Sequence, residues 1–560
     1  MGPELMGTGG AGAPPAEVVI GLDVGTTGVK AIAFGLGSSW RRLAMREYEL
    51  FEPEPGWQVQ DLGEILRAST EALAECVAYV NESKVLAVSL SAAMHGLLAL
   101  DARRCALTPL VTWADARATD EARWLVSSGQ AAELHRRNGT PVHPMTPLAK
   151  LLWFARNDQS TCAAARWWVG LKECLLSWLT GELATELSSA SGTGLLEMST
   201  RSWSASAAEL AGIRVEQLAP ILSTTAVLGL CSSTAARIGL KEGTPVVAGA
   251  GDGPLANLGT GALGPGVAAL SLGTSGAVRV VVDEPRVDGS GRLFCYALTE
   301  HAWVLGSALS NGGIVLRWAG EALAPDLVGS PAGPSEQHGP SEQPGLAGAA
   351  GVTGAISGSG ADERMIALAS QAPPGCDGLM MVPYLLSERA PLWDPDLPGA
   401  YLGLRRTHTR AHLVRAAIEG VCLQLSLLVD QLEKVEPVGS IRATGGALRS
   451  PLWSAILAAA LEKPLYRVGD AEGTALGAAT LALAALGRAP GLGEALALFE
   501  APGAAQPELV QVDSELLSAA RATRATIPEL AHQLERVAEL FEPELPRRSP
   551  AGAPRDGAPC

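Results

Sequence analysis

The chain has 560 residues, with 42 basic against 58 acidic side chains and a formal charge of −16. Its 47% hydrophobic and 18% charged content excludes wholesale disorder, and its length suits roughly two to four domains. The acidic balance argues against a nucleic-acid partner, and nine scattered cysteines without a CxxC pair point to a reducing cytoplasm rather than to a zinc or redox site.

Residues 1–16 are rich in Gly, Pro and Ala, lack an apolar secretory core, and are expected to be disordered. The segment 17–35, EVVIGLDVGTTGVKAIAFG, predicts two apolar strands joined by a Gly/Thr turn. Its turn, Gly25-Thr26-Thr27-Gly28, offers backbone N–H groups and two hydroxyls with little steric cover, which suits phosphate oxygens. Asp23 ends the first strand, where a buried carboxylate needs a partner such as a magnesium ion carrying a nucleotide's phosphates. Apolar spacing predicts a helix over 62–80, a buried strand over 84–94 and a charged-faced helix over 117–137.

Segment 244–261, TPVVAGAGDGPLANLGTG, predicts a strand running into small residues around Asp252. A carboxylate at that strand end can take a proton from an attacking hydroxyl; the plainer role is a helix cap. From Gly253 to Val278 no charge occurs, but glycines and prolines interrupt the run, so strands and turns are expected rather than a membrane span. LSLGTSGAVRVVV at 270–282 then echoes LDVGTTGVKAIAF at 22–34, at an offset of 248 residues. Two such hairpins, each opening one half of the chain, predict a duplicated α/β domain with a boundary near Gly264-Pro265-Gly266. The Gly329–Gly360 stretch contains the tandem PSEQHGPSEQPG and is expected to be a flexible insertion. Segment 443–468 predicts a strand, a Gly-Gly turn suited to a flat nucleoside, and a helix. Helices follow at 472–487 and within 513–540, before a Pro-rich tail from 542.

The chain resembles the FGGY carbohydrate kinases of the actin-like ATPase superfamily, across roughly residues 17–490. The stretches that carry the resemblance are GLDVGTTGVKA (21–31), MHG (94–96), TWADARA (112–118), GAGDGPLANLGTGA (249–262), LSLGTSGAVR (270–279), 378–404 and GGALRSPLW (445–453). Ser188, Ala190, Ser191 and Thr193 match a further segment, with Glu186 and Glu197 where aspartates are usual, and Leu397-Pro398-Gly399 replaces an arginine-glycine pair.

The resemblance implies an α/β fold of two duplicated actin-like (ribonuclease H-like) domains with a cleft between them. The sugar-side domain would span 17–264, the nucleotide-side domain 265–490, and a helical extension with its tail 491–560. It implies transfer of the γ-phosphoryl group of ATP to a sugar hydroxyl with Mg²⁺, by a protein without membrane attachment that acts singly or as a homodimer. Asp252 would be the base, and Asp23 the metal-linked acid. Gly25, Thr26, Thr27, Lys30, Gly273, Thr274 and Gly313 would hold phosphates, and Gly445, Gly446 and Ala447 the adenosine.

For the sugar, Met94, His95, Gly96, Trp113, Arg117 and Lys150 are the candidates beside Asp252. MHG is shared with xylulose kinases, whereas TPVHPMTPLAK and PLVTWADARA are similar to gluconate kinases. A sugar acid needs a cation or several donors, and Lys150, His143, His95 and Arg117 are the available groups. The expected substrate is D-gluconate, with D-xylulose as the alternative and a non-catalytic sugar sensor as the reading from another class.

Overall fold

The computed structural model describes residues 15–80, 84–328, 359–386, 388–393, 397–469, 472–500 and 507–526, with positions 530 and 533. Most of the N-terminal segment, the repeat-bearing insertion and the Pro-rich tail lie outside these residues.

The first half is built on a sheet. Its strands are β1 (Val18–Val24), β2 (Gly28–Gly35), β3 (Arg41–Glu47), β4 (Val85–Ala92), β5 (Val227–Gly229) and β6 (Pro245–Gly251). The order across the sheet is β5-β6-β4-β1-β2-β3. β1 pairs antiparallel with β2, with Asp23 opposite Lys30, while β1, β4 and β6 run parallel. Central parallel strands are buried on both faces, which is why VVIGLDV shows no polar alternation.

The second half repeats the plan. Strands β7 (Val267–Leu272) and β8 (Gly276–Val282) form its hairpin, followed by β9 (Phe294–Thr299), β10 (Ala302–Leu309), β11 (Ser440–Thr444), β12 (Leu465–Arg467) and β13 (Glu508–Leu509). Their order is β9-β10-β8-β7-β11-β12-β13. From the hairpin outward, both sheets have two parallel neighbours on one side and an antiparallel strand on the other. The second adds only β9. The echo at 22–34 and 270–282 is therefore an echo of whole sheets.

Helices α1 (Leu62–Ala78), α2 (Pro147–Asn157), α3 (Leu171–Thr180) and α4 (Asp252–Gly259) belong to the first half. Helices α5 (Arg410–Glu433), α6 (Pro451–Leu461) and α7 (Gly473–Ala485) belong to the second. α1 and α3 pack on one face of the first sheet through Ile65, Leu73, Leu175 and Leu179. Its other face is covered by α7, whose Ala475, Ala479 and Leu483 meet Val19, Ile32, Phe34 and Val247. Gly21 permits this approach, since a Cβ there would stand 2.2 Å from the Ala475 carbonyl oxygen. α5 and α6 pack in the core of the second half. Among the described residues only α5 is long and apolar enough to cross a membrane, and most of it is buried in that core.

The predicted helix over 117–137 is two helices, Thr119–Ser127 and Ala131–Asn138. Gly129, at φ +79°, breaks the run between them. Among the described residues no disulfide joins two cysteines.

Candidate active site

β6 ends at Gly251 and α4 begins at Asp252, so this carboxylate stands at the C-terminal end of a parallel strand and in the first turn of a helix. In open α/β sheets ligands gather at such strand ends. Asp252 Oδ1 accepts from the Gly253 amide at 2.7 Å. The preceding Gly251 amide donates to Ser188 Oγ at 3.1 Å. Beneath them the buried Lys172 ammonium donates to the carbonyls of Leu90, Ala248 and Ala250, each at 3.0 Å, and ties β4 to β6. Burial, then the charge of Asp23, pushes Asp252 up to about 6, against the pull of Arg279 and Arg389.

Asp252 opens into a cavity of about 260 Å³ between the two halves. Thr26, Met94, His95 and Trp113 line it from the first half, and Arg279, Tyr296, Arg389 and Trp393 from the second. His95 adopts φ +66°, a left-handed conformation that costs a side-chain-bearing residue free energy. Its carbonyl accepts from Lys150 Nζ at 2.7 Å, and its Nδ1 donates to the Gly192 carbonyl at 2.8 Å. Burial lowers its pKa to about 3, so the ring is neutral at physiological pH. Trp113 Nε1 donates to Thr26 Oγ1 at 2.8 Å, linking the cavity wall to the turn of the first hairpin.

Four of the sugar-side candidates do not line this cavity. Lys150 is fully buried behind the cavity, and its ammonium donates to the carbonyls of His95 at 2.7 Å and Thr112 at 2.6 Å. Burial lowers it to about 7. Arg117 is held by Asp115 through bonds of 2.8 and 2.9 Å and lies 3.8 Å from the Trp57 ring centroid. His143 is neutral, lowered to about 3 by burial, and packs against Trp393. A Cβ on Gly96 would stand 3.0 Å from Leu110 Cδ1.

A second cavity, of about 240 Å³, adjoins the first hairpin and is lined by Asp23, Lys30, Thr444, Gly445, Glu472 and Thr474. Asp23 therefore borders one cavity and Thr26, three residues on, the other. Each turn is closed by a backbone bond of 2.9 Å, from Gly25 N to Gly28 O in the first and from Gly273 N to Ser275 O, one residue nearer, in the second. Thr27, Gly273 and Thr274 are exposed. Gly313 braces the second turn through its amide, 2.7 Å from Gly273 O. Gly445 follows β11 at φ +124°, and a Cβ there would lie 2.2 Å from Leu272 O. Only glycine fits this turn. Gly446 beside it is exposed and Ala447 half-buried.

Asp23 Oδ1 accepts from Ser91 Oγ at 2.8 Å. Burial raises its pKa, opposed by that hydrogen bond and by Lys30 and Lys172. A buried acid of this kind favours a cation beside it. Among the described residues no group of three or more His, Cys, Asp or Glu could hold a metal alone. The donor set fits magnesium, which keeps several waters and binds through one or two carboxylates plus substrate phosphates.

Arg279, Arg389, Tyr296, Trp393 and Lys172 were not singled out by the sequence reading. Arg279 carried a signal, because it is the first charge after the neutral run from Gly253 to Val278. Asp252 bounds the other end of that run, and the two ends meet in the cavity.

Residues 18–259 match the N-terminal domain of the FGGY family of carbohydrate kinases, and residues 268–486 its C-terminal domain. The gluconokinase of Bacillus subtilis is 34% identical over 473 residues, 84% of this chain and 88% of that protein. The xylulose kinase of Escherichia coli is 28% identical over 470 residues, 83% of this chain and 89% of that protein. The solved structure of gluconate kinase from Lactobacillus acidophilus superposes with a TM-score of 0.83 at 29% identity, covering 94% of this chain and 100% of that one. Ligand-bound xylulose kinase from the same organism gives the same four values: 0.83, 29%, 94% and 100%.

Proposed function

Because the chain belongs to the FGGY family of carbohydrate kinases, and is therefore a phosphotransferase with an alcohol group as acceptor, we propose that it phosphorylates D-gluconate at its primary hydroxyl, with ATP as donor. The observation that carries the substrate is the 34% identity to gluconokinases, against 26–28% to xylulose kinases over nearly the same stretch. The product is 6-phosphogluconate, and the setting is the cytoplasm. D-Xylulose is the second reading, favoured by Met94-His95-Gly96 and by the equal structural likeness to a xylulose kinase.

Phosphoryl transfer needs positioning and charge neutralisation more than covalent help. Asp252, with a pKa of about 6, is ionised at neutral pH and accepts the proton of the attacking hydroxyl. The new O–P bond forms as the bond from the γ-phosphorus to the bridging oxygen breaks, and ADP leaves with that electron pair. Thr26, Thr27 and Thr274, with the amides of their turns, hold the phosphate oxygens, and Lys30 adds a cation at the rim of the second cavity. Gly445, Gly446 and Ala447 form the surface for the adenosine. Asp23 is the side chain to hold magnesium, through water; when bound, the ion neutralises charge along the phosphates. Walls drawn from both halves let closure exclude water, which would otherwise compete as acceptor.

The test is a coupled ADP-release assay with gluconate, xylulose, ribulose and glycerol. Gluconate is expected to give the highest kcat/KM. A higher value with xylulose would replace the substrate and keep the mechanism. No turnover with any of the four, while ATP still binds, would support the sensor.

A further inference from the structure

We propose that Arg279 and Arg389 form a two-guanidinium clamp that holds the carboxylate of a sugar-acid substrate, an assignment that rests on the gluconate reading above. The first observation is charge balance. Among the described residues lining the 260 Å³ cavity, Asp252 is the one carboxylate, while Arg279 and Arg389 are both cations. A half-buried site with two positive groups against one negative group is short of an anion.

The second observation is that neither guanidinium is satisfied by the protein. Arg279 Nη1 donates to Ser271 Oγ at 3.3 Å, and its buried Nε has no hydrogen-bond partner. Arg389 donates from Nη2 to the Leu309 carbonyl at 2.9 Å and from Nε to Ser310 Oγ at 3.3 Å. Neither is in an ion pair among the described residues. An arginine has five N–H donors, so each keeps several for a ligand. Glu388, the acid adjacent to Arg389, is committed elsewhere. It accepts from the amides of Ser310 and Arg389 and from the side chains of Asn311 and Gln424, each at 2.8 Å.

The third observation is elimination. Lys150 and Arg117 are bound to protein partners outside the cavity, and His95 and His143 are neutral. Among the described residues no other cation lines the cavity. Placement agrees. Arg279 lies three residues along β8 from the second turn, roughly 10 Å of strand, on the sugar side. The Arg389 guanidinium carbon lies 5.1 Å from the centroid of the Trp113 ring, which restricts its plane.

The transferring phosphoryl group is the other anion these arginines could meet, and the experiment separates the two. Gluconate binding is measured by calorimetry without nucleotide, and kcat/KM is measured for gluconate and xylulose, in the parent, Arg279→Met, Arg389→Met and Arg389→Lys. ATP binding by each variant serves as the check on folding. Each Met variant is expected to lose roughly 10- to 100-fold more on gluconate than on xylulose, with a matching loss in nucleotide-free gluconate affinity. Arg389→Lys should recover part of it, since lysine keeps the charge but not the fork. Equal losses on both substrates, or a raised KM for ATP with gluconate binding intact, would overturn the clamp and assign these arginines to the phosphoryl group. A parent that phosphorylates xylulose and not gluconate overturns the substrate reading and the clamp with it. A parent that prefers gluconate, with variants that keep its preference, overturns the clamp alone.

Discussion

At the offset that aligns the two hairpins, Asp23 falls opposite Ser271 and Ala31 opposite Arg279. The backbones have stayed alike in their strands, which pair and are flanked equivalently, although Gly25 N bonds the third residue on and Gly273 N the second. The charges have separated. The first hairpin keeps an acid at the edge of the 240 Å³ cavity, while at the matching position the second has the Ser271 hydroxyl, which accepts from Arg279 and with it lines the 260 Å³ cavity. In the proposed mechanism duplication supplies two phosphate-holding turns from backbone alone, and two acids beside one polyphosphate would repel it. The backbone turn is shared by the two copies, while side-chain charge divides them into one that carries an acid and one that carries an arginine.

The largest effect is expected between the hairpins. Asp252→Asn should lower kcat by roughly 10²- to 10⁴-fold while ATP and sugar still bind. The same variant should melt at a higher temperature at pH 8, because it removes a buried charge. Turnover at the parent rate would remove Asp252 from the role of base.

Making the first hairpin resemble the second comes next. Asp23→Ser should raise the magnesium concentration needed for half-maximal rate by roughly 10- to 100-fold, as loss of a metal's supporting ligand does. An unchanged magnesium requirement would mean that the acid is not what distinguishes the two copies.

The pH profile has two opposing arms. With Asp252 at about 6, kcat/KM should fall about tenfold per pH unit below that value. Stability runs the other way. The folded state binds this proton more tightly than the unfolded chain, whose value is near 3.8, so the contribution is full below 3.8 and lost as pH rises through about 6. A rate that stays flat down to pH 4.5 would contradict the assignment.

The smallest effect is expected at the link between sugar wall and first turn. Trp113→Phe keeps the ring and deletes the N–H that reaches Thr26, so kcat/KM for both substrates should drop roughly 2- to 10-fold. A change confined to the sugar would show that the bond does not couple the two sites.

Much of this was legible in the chain. Two Gly/Thr turns between apolar strands showed the duplication, and small residues around Asp252 marked it as accessible. The direction in which cations point was not legible. Lys150 lies on a helix whose spacing says nothing about the His95 and Thr112 carbonyls that capture it from distant segments. Arg117 follows Asp115 by two residues, and that local pairing could have been read as self-satisfaction. Arg389 follows an acid in sequence, but Glu388 takes its side-chain partners, Asn311 and Gln424, from distant segments. Gly129 was a visible helix breaker within a charged run that otherwise kept its period.

The helix α7, from the second half of the chain, covers the first sheet at Val19, Ile32, Phe34, Ala87 and Val247. A ribosome making this protein therefore releases the first sheet with one apolar face bare, and the cover emerges only with residues 473–485. During that interval the nascent chain exposes a surface that chaperones bind and that neighbouring chains can stick to. The two copies can no longer be separated as independent pieces, because the earlier one finishes folding only after the later one has been translated.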